Sequence, residues 1–215
     1  MMAIADIRRE YSLGGLERAD LDANPIAQFQ KWFEQATKAL AQKKTDANAA
    51  TLATADKNGK PSARIVLLKG LDERGFIFFT NYGSRKGREL SENPNAALTF
   101  YWPELERQIC VAGFAEKISR EESEKYFKSR PRGSQLAAWA SNQSDVVQDR
   151  AALKAKWAEM EKKFPNEVPL PPDWGGYVLK PERIEFWQGR PSRLHDRFQY
   201  TRKKNNSWKL ERLAP

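Results

Sequence analysis

The run AATLATADKNGKPSARIVLLKGLDERGFIFFT, residues 49–80, decides how the fold is read. Thr51–Ala55 and Ser62–Leu68 flank Asp56-Lys57-Asn58-Gly59, and Asn-Gly between two apolar runs is a strong hairpin signal. Phe76–Thr80 adds a further strand. Working outward, Ala96–Trp102 and Gln108–Ile118 are also rich in the aromatic and β-branched residues that favour strands. Between Phe76–Thr80 and Ala96–Trp102, Ser84–Ser91 reads as a short helix closed by Asn93-Pro94. On the N-terminal side, Asn24-Pro25 supplies an N-cap and a proline at the first helical position. Ile26, Phe29, Phe33, Ala36 and Leu40 follow at helical spacing. The residues before them, 1–24, are polar and glycine-containing and read as an arm.

On the C-terminal side, Ser119 and Glu122 form a capping box ahead of Tyr126 and Phe127. A longer helix is predicted from about Asp145 to Phe164, with Leu153, Trp157, Met160 and Phe164 on one face, ended by the proline-rich Val168–Asp173. Strands return at Tyr177–Leu179, Ile184–Trp187, Phe198–Arg202 and Trp208–Leu213. Helices inserted among strands, rather than alternating with them, predict an antiparallel, barrel-like α+β domain and not a doubly wound sheet. No linker or repeat divides residues 25–215, which read as a single domain.

With 40% apolar and 30% charged residues the chain has a globular, not a disordered, balance. Its 7 Trp, 6 Tyr and 11 Phe need large apolar surfaces, some of them shared with a partner chain. The net charge of +9 points to an anionic partner: nucleic acid, an acidic membrane or a phosphorylated small molecule. Cys110 is the sole cysteine, so an intramolecular disulfide is excluded and a reducing, cytoplasmic setting is expected. No stretch approaches the roughly 18 apolar residues of a membrane span, nor is there a signal-peptide core. One His and one Cys also rule out a Cys/His zinc site within one chain. Cys110 lies in an apolar run and reads as a core thiol. His195 and Asp196, as neighbours, would point to opposite faces of a strand and make a poor base–orienter pair.

Four segments carry possible chemistry. Asn81-Tyr82-Gly83-Ser84-Arg85-Lys86-Gly87 joins a strand to a helix, where free N–H groups and two cations attract phosphate. Arg64-Ile65-Val66-Leu67-Leu68-Lys69 reads as a strand buried on both faces, with Arg64 and Lys69 facing opposite sides. In Tyr126–Ser134, Tyr126 and Arg130 share a helical face before Pro131 ends the helix, and Tyr, Arg and Ser would suit a phosphate monoester. Solvated charges at element ends explain these three equally well. In the fourth, Arg193, His195 and Arg197 have period two, so a strand would place three cationic groups on one face, where only an anion relieves the repulsion.

Together these segments resemble the pyridoxine/pyridoxamine 5'-phosphate oxidase family. The resemblance runs over nearly the full length, from Ile7-Arg8-Arg9-Glu10-Tyr11 to Arg212-Leu213-Ala214-Pro215. It rests also on Arg64–Lys69, Thr80-Asn81 with Gly83–Lys86, Leu105-Glu106-Arg107-Gln108, Tyr126 with Ser129–Arg132, Gln143-Ser144, Glu185–Gly189 and Arg193–Arg197. It implies an antiparallel split β-barrel with peripheral helices, the FMN-binding split-barrel fold, in a homodimer with two flavins at the interface. Residues 170–215 would serve dimerisation and the active site.

The implied reaction is the FMN-dependent oxidation of pyridoxine 5'-phosphate and pyridoxamine 5'-phosphate to pyridoxal 5'-phosphate, with O2 reduced to hydrogen peroxide. Nucleic acid, membrane and metal have no part in it. By the same resemblance Arg64, Arg85 and Lys86 would hold the FMN phosphate, assisted by Gln143 and Ser144 of the partner chain. Ile65, Val66, Leu67, Leu68, Lys69, Phe79, Thr80, Gln108, Trp187 and Arg197 would complete the flavin site. Phe79 stands where the family often has Tyr, and is expected to act through its backbone. Lys69, Tyr126, Arg130 and Ser134 would bind the substrate phosphate. Arg193, Leu194 and His195 would lie at the pyridine ring, with Arg193 and His195 catalytic. Arg8, Arg9, Glu10 and Tyr11 would form a mobile cover.

Overall fold

A computed structural model describes residues 3–7, 9–43 and 45–215; Arg8 lies outside them. The described residues form helices α1 (Pro25–Leu40), α2 (Arg85–Glu92), α3 (Arg120–Ser129), α4 (Arg132–Ala140) and α5 (Arg150–Lys163). The strands are β1 (Ala49–Ala55), β2 (Pro61–Leu67), β3 (Gly70–Asp72), β4 (Gly75–Asn81), β5 (Asn95–Trp102), β6 (Arg107–Lys117), β7 (Trp174–Gln188), β8 (Asp196–Arg202) and β9 (Trp208–Leu213). They hydrogen-bond in the order β2-β1-β5-β6-β7-β4-β3, with β8 beside β7 and β9 beside β8. The pairs β3–β4, β4–β7, β7–β8 and β8–β9 are antiparallel, which makes a half-barrel sheet with inserted helices. Among the described residues no helix is long and apolar enough to cross a membrane.

The local signals act as expected at several ends. The Asn24 side chain accepts from the Ile26 N–H at 2.9 Å and starts α1. Both halves of the Ser119/Glu122 capping box form at α3. The hairpin closes through Asp56, whose Oδ1 accepts from the N–H groups of Asn58 and Lys60, while Gly59 takes a φ of 78°.

The chain makes two compact units. In the first, residues 1–52, 97–113 and 181–215, α1 lays Phe29, Trp32, Ala36 and Leu40 against the sheet. Phe29 meets Phe100 at 5.0 Å between ring centroids and Trp32 meets Phe186 at 5.2 Å, both edge-on. Tyr200, also buried, donates its hydroxyl to the Asp22 carbonyl at 2.5 Å. In the second, residues 53–96 and 114–180, Phe127, Leu136, Val168, Leu170 and Trp174 form a buried cluster. Phe79 stacks on Tyr126 at 3.8 Å and on Trp174 at 5.5 Å.

Four expectations need correction. β2 is not buried on both faces: it ends the strand order, and Ile65 is 65% and Leu67 37% exposed. The two segments expected at 177–179 and 184–187 are one strand, β7, because Pro181 falls between the residues paired with β4 and those paired with β8, where its missing N–H costs no bond to either. Residues 132–140 form α4, since Pro131 both stops α3 and accepts the N–H groups of Ser134 and Gln135 that open the next helix. Arg193 and His195 do not continue a strand with Arg197. Pro191–Arg193 is a 3-10 turn, Ser192 and Arg193 have φ of 55° and 61°, and β8 begins only at Asp196.

Candidate active site

In the second unit the strand-to-helix turn at 81–87 gathers buried polar groups around Lys86. Gly87 packs so close to Tyr82 that a Cβ would lie 2.2 Å from the Tyr82 carbonyl oxygen, so no larger residue fits. Ser84 caps α2 by accepting from the Gly87 N–H at 3.3 Å. Lys86, in the first turn, is thereby held inward and is buried. Its Nζ donates to Thr80 Oγ1 at 3.1 Å, Ser84 Oγ at 3.3 Å and Gln143 Oε1 at 3.0 Å. All three partners are neutral. Burial, then the nearby Arg64 charge, pull its pKa down to about 8, against a smaller upward pull from Glu89.

Arg64 and Arg85 meet instead at Glu89, a buried carboxylate that reading the sequence did not single out. Arg64 Nη2 lies 3.2 Å from Glu89 Oε2 and Arg85 Nε 2.8 Å from Oε1. Ser62 and Thr54 each donate a hydroxyl to Oε2 at 2.5 Å, and the Arg64 guanidinium also reaches Thr54 and Ser62. Burial pushes the Glu89 pKa up, but these hydrogen bonds outweigh it and hold it at about 2. The one signal available was the i,i+4 spacing from Arg85.

A cavity of about 390 Å³ opens beside Lys86, lined by Ile65, Val66, Leu67, Lys69, Phe79, Thr80, Tyr126, Arg130, Gln143 and Trp174 among others. Lys69 lines it because β2 stops at Leu67, so the two-residue period that set it opposite Arg64 does not extend that far. Arg130 caps the end of α3 with its guanidinium 4.7 Å above the Trp174 ring. Its Nη1 is buried with no hydrogen-bond partner among the described residues, and burial lowers its pKa. A buried guanidinium nitrogen left unpaired is costly, and an anionic oxygen would satisfy it. Ser134 lies in the first turn of α4, outside this lining. Gln143, implied as the partner chain's contribution, already reaches Lys86 and Thr80 of its own chain. Ser144, next to it, has a φ of 79°.

In the first unit, Trp187 at the end of β7 stands 4.7 Å from the His195 ring. Tyr11 packs edge-on against both, at 5.5 and 5.6 Å. His195 Nδ1 accepts from the Arg190 N–H at 3.1 Å, which leaves Nε2 to carry the proton of the neutral ring. Arg193 is exposed and so is Leu194. Arg197 forms a fork onto Glu185, Nε to Oε1 at 2.8 Å and Nη2 to Oε2 at 3.0 Å. The expected single face of Arg193, His195 and Arg197 does not form: the strand is broken before Asp196, and Arg197 is paired with Glu185. Gln108 donates to Cys110 Sγ at 3.4 Å, and burial pushes the Cys110 thiol pKa up. In the arm, Arg9 faces Glu106 at 3.3 Å and Glu10 lies 3.5 Å from the Ser192 N–H.

Comparison with known proteins places this arrangement. Residues 36–164 match the family described as pyridoxamine 5'-phosphate oxidase, and residues 174–215 match the pyridoxine 5'-phosphate oxidase C-terminal dimerisation region. The chain is 58% identical to a pyridoxine/pyridoxamine 5'-phosphate oxidase of Ralstonia pickettii and 56% to one of Paraburkholderia phytofirmans, each over the whole of both chains. Among solved structures, PhzG from Burkholderia lata 383, in complex with tetrahydrophenazine-1-carboxylic acid, superposes with a TM-score of 0.85 at 36% identity, covering 92% of this chain and 95% of PhzG. A pyridoxamine 5'-phosphate oxidase-related, FMN-binding protein of Nostoc punctiforme shares the fold, with a TM-score of 0.72 at 19% identity over 91% of this chain and all of its own. With the match spanning both halves of the chain, it belongs to the pyridoxine/pyridoxamine 5'-phosphate oxidase family of oxidoreductases.

Proposed function

We propose that this chain is an FMN-dependent oxidase that converts pyridoxine 5'-phosphate and pyridoxamine 5'-phosphate to pyridoxal 5'-phosphate, acting as a cytoplasmic homodimer. The observation that carries the reading is the buried Arg130 Nη1, without a partner among the described residues, in a residue that lines a cavity together with Lys69 and Tyr126. A phosphate monoester supplies the oxygens these donors need, and the guanidinium can grip two of them at once. Full-length identity to named oxidases supports the substrate class, and the match to the dimerisation region supports the dimer.

The turn around Lys86 also suits a flavin phosphate. Lys86 is a buried cation with neutral hydrogen-bond partners in Thr80, Ser84 and Gln143, and Glu89 orients both Arg85, the neighbour of Lys86 in sequence, and Arg64, whose charge Lys86 feels. Ile65, Val66 and Leu67 offer an apolar strand edge for a flat ring. When bound, the flavin supplies at N5 the acceptor for a hydride leaving substrate C4', and O2 carries the electrons on to hydrogen peroxide. The chain's own contribution is to bind and orient. Lys69, Tyr126 and Arg130 hold the substrate phosphate; Arg193 orients the pyridine ring near C4', and His195, its Nδ1 occupied by Arg190, presents Nε2–H to support that position. Alcohol oxidation gives the aldehyde directly, whereas the imine from the amine takes up water and releases ammonia.

The test is the visible spectrum of the FMN-loaded protein mixed with pyridoxine 5'-phosphate in the absence of oxygen. Bleaching of the flavin band, with pyridoxal 5'-phosphate formed, is the expected result. A flavin that stays oxidised with this substrate but bleaches with the tricyclic acid found in PhzG would replace the proposal.

A further inference from the structure

Glu106 has no part in the reaction proposed above, yet it is among the most committed groups of its unit. It sits in the turn between β5 and β6 with a φ of 53°, a left-handed conformation uncommon for a residue with a side chain, and it is 2% exposed. Its Oε2 accepts the backbone N–H groups of Ser12 at 2.8 Å and Leu13 at 2.9 Å, and its Oε1 lies 3.3 Å from Arg9 Nη2. Its carbonyl accepts from the Gly189 N–H at 2.8 Å and from Gln188 Nε2 at 3.2 Å. One residue thus ties the arm to the strand end that carries Trp187.

Two further features make this docking specific. A Cβ on Gly189 would lie 2.7 Å from Tyr11 Cγ, so the Tyr11 ring occupies space that only glycine leaves open. Beyond the Glu106 contacts, the Leu16 N–H donates to Asp196 Oδ2 at 3.0 Å and the Gly14 carbonyl accepts from Arg190 at 2.8 Å. The polar contacts of the arm from 12 to 16 thus run through its backbone, while Leu16 also buries its side chain. The Arg9 pair adds little, because that side chain is half exposed.

We propose that Glu106 is a positioning residue, a latch that docks the N-terminal arm and so sets Tyr11 against Trp187 and His195 as one wall of the substrate-ring site. The ring-site part rests on the oxidase reading; the latch itself does not. Without the carboxylate two amides lose a charged acceptor, and the docked arm is weakened relative to the released one.

The experiment compares holoenzyme carrying Glu106→Asn, Glu106→Gln or Gly189→Ala with the unaltered holoenzyme. Asn tolerates the left-handed backbone, so the turn survives while the reach to the arm is lost. Hydrogen exchange at Ser12 and Leu13, measured without substrate, should speed up about tenfold in Glu106→Asn and less in Glu106→Gln, which keeps one acceptor oxygen. The KM for pyridoxine 5'-phosphate should rise about tenfold in Glu106→Asn and in Gly189→Ala, with kcat changed less than about twofold. Unaltered exchange in Glu106→Asn overturns the latch. Faster exchange with an unchanged KM overturns the positioning role. Should the unaltered enzyme not oxidise pyridoxine 5'-phosphate at all, the functional reading fails, and the exchange comparison still decides the latch.

Discussion

Lys86 shows most plainly how one side chain connects structure to chemistry. Its pKa is pulled below the ordinary lysine value to about 8, so between there and the unfolded-state value the unfolded chain holds the extra proton and stability rises with pH. An anion binds the charged form, so affinity runs the other way. Titrating the apoprotein with FMN from about pH 7 to about pH 9 should weaken binding about tenfold, because the phosphate keeps its charge over that range. The Lys86→Met variant should bind more weakly and show no such slope; a wild-type profile flat across pH 8 would remove Lys86 from the phosphate site. At Arg193 the expectation differs. Its side chain is exposed, so Arg193→Leu should retain bound FMN and the unaltered unfolding midpoint while losing at least about tenfold in kcat, the scale of one lost charged contact made in the transition state. Near-normal turnover would take Arg193 out of the mechanism. Glu89 and Glu106 illustrate what single positions conceal: an acidic residue looks like surface in the sequence, and only its three-dimensional neighbours reveal a buried acceptor.

At the scale of elements, the sequence is most legible where a short-range rule has no competitor. Asn24-Pro25, Ser119 with Glu122, and Asn58-Gly59 each start or turn an element as local chemistry requires. Ser119→Ala should accordingly cost about 1 kcal/mol in denaturant unfolding, since the Glu122 N–H loses its acceptor; no measurable change would mean that tertiary contacts alone hold α3. Rules that need a regular element to persist fared worse. The period-two argument for residues 193–197 assumed a strand, but Pro191 and two left-handed residues interpose a turn. Four apolar residues at 65–68 suggested burial on both faces, whereas β2 closes the strand order and leaves Ile65 outward. Nor could α4 be seen, because Pro131 was read only as a stop.

For the molecule as a whole, the predicted homodimer with flavin at its interface has a direct consequence. Sedimentation of the holoenzyme should give twice the mass of one chain, and dilution that splits the dimer should release flavin together with it; a monomer that keeps its flavin would contradict the interface assignment. The succession of strand and helix signals was enough to specify an antiparallel α+β fold, and the motifs in their order carried the family resemblance, because both depend on patterns within a few residues or on their succession along the chain. Tertiary structure alone decided which cations stay free for an anion. Arg64 and Arg197 turn to Glu89 and Glu185, carboxylates whose proximity depends on strand order and helix packing, while Arg85 meets Glu89 one helical turn away. Arg130 is left with a buried nitrogen that has no partner among the described residues. Charge pairing is a matter of a few ångströms, and those distances are set by packing between segments far apart in the chain, where local pattern carries no information.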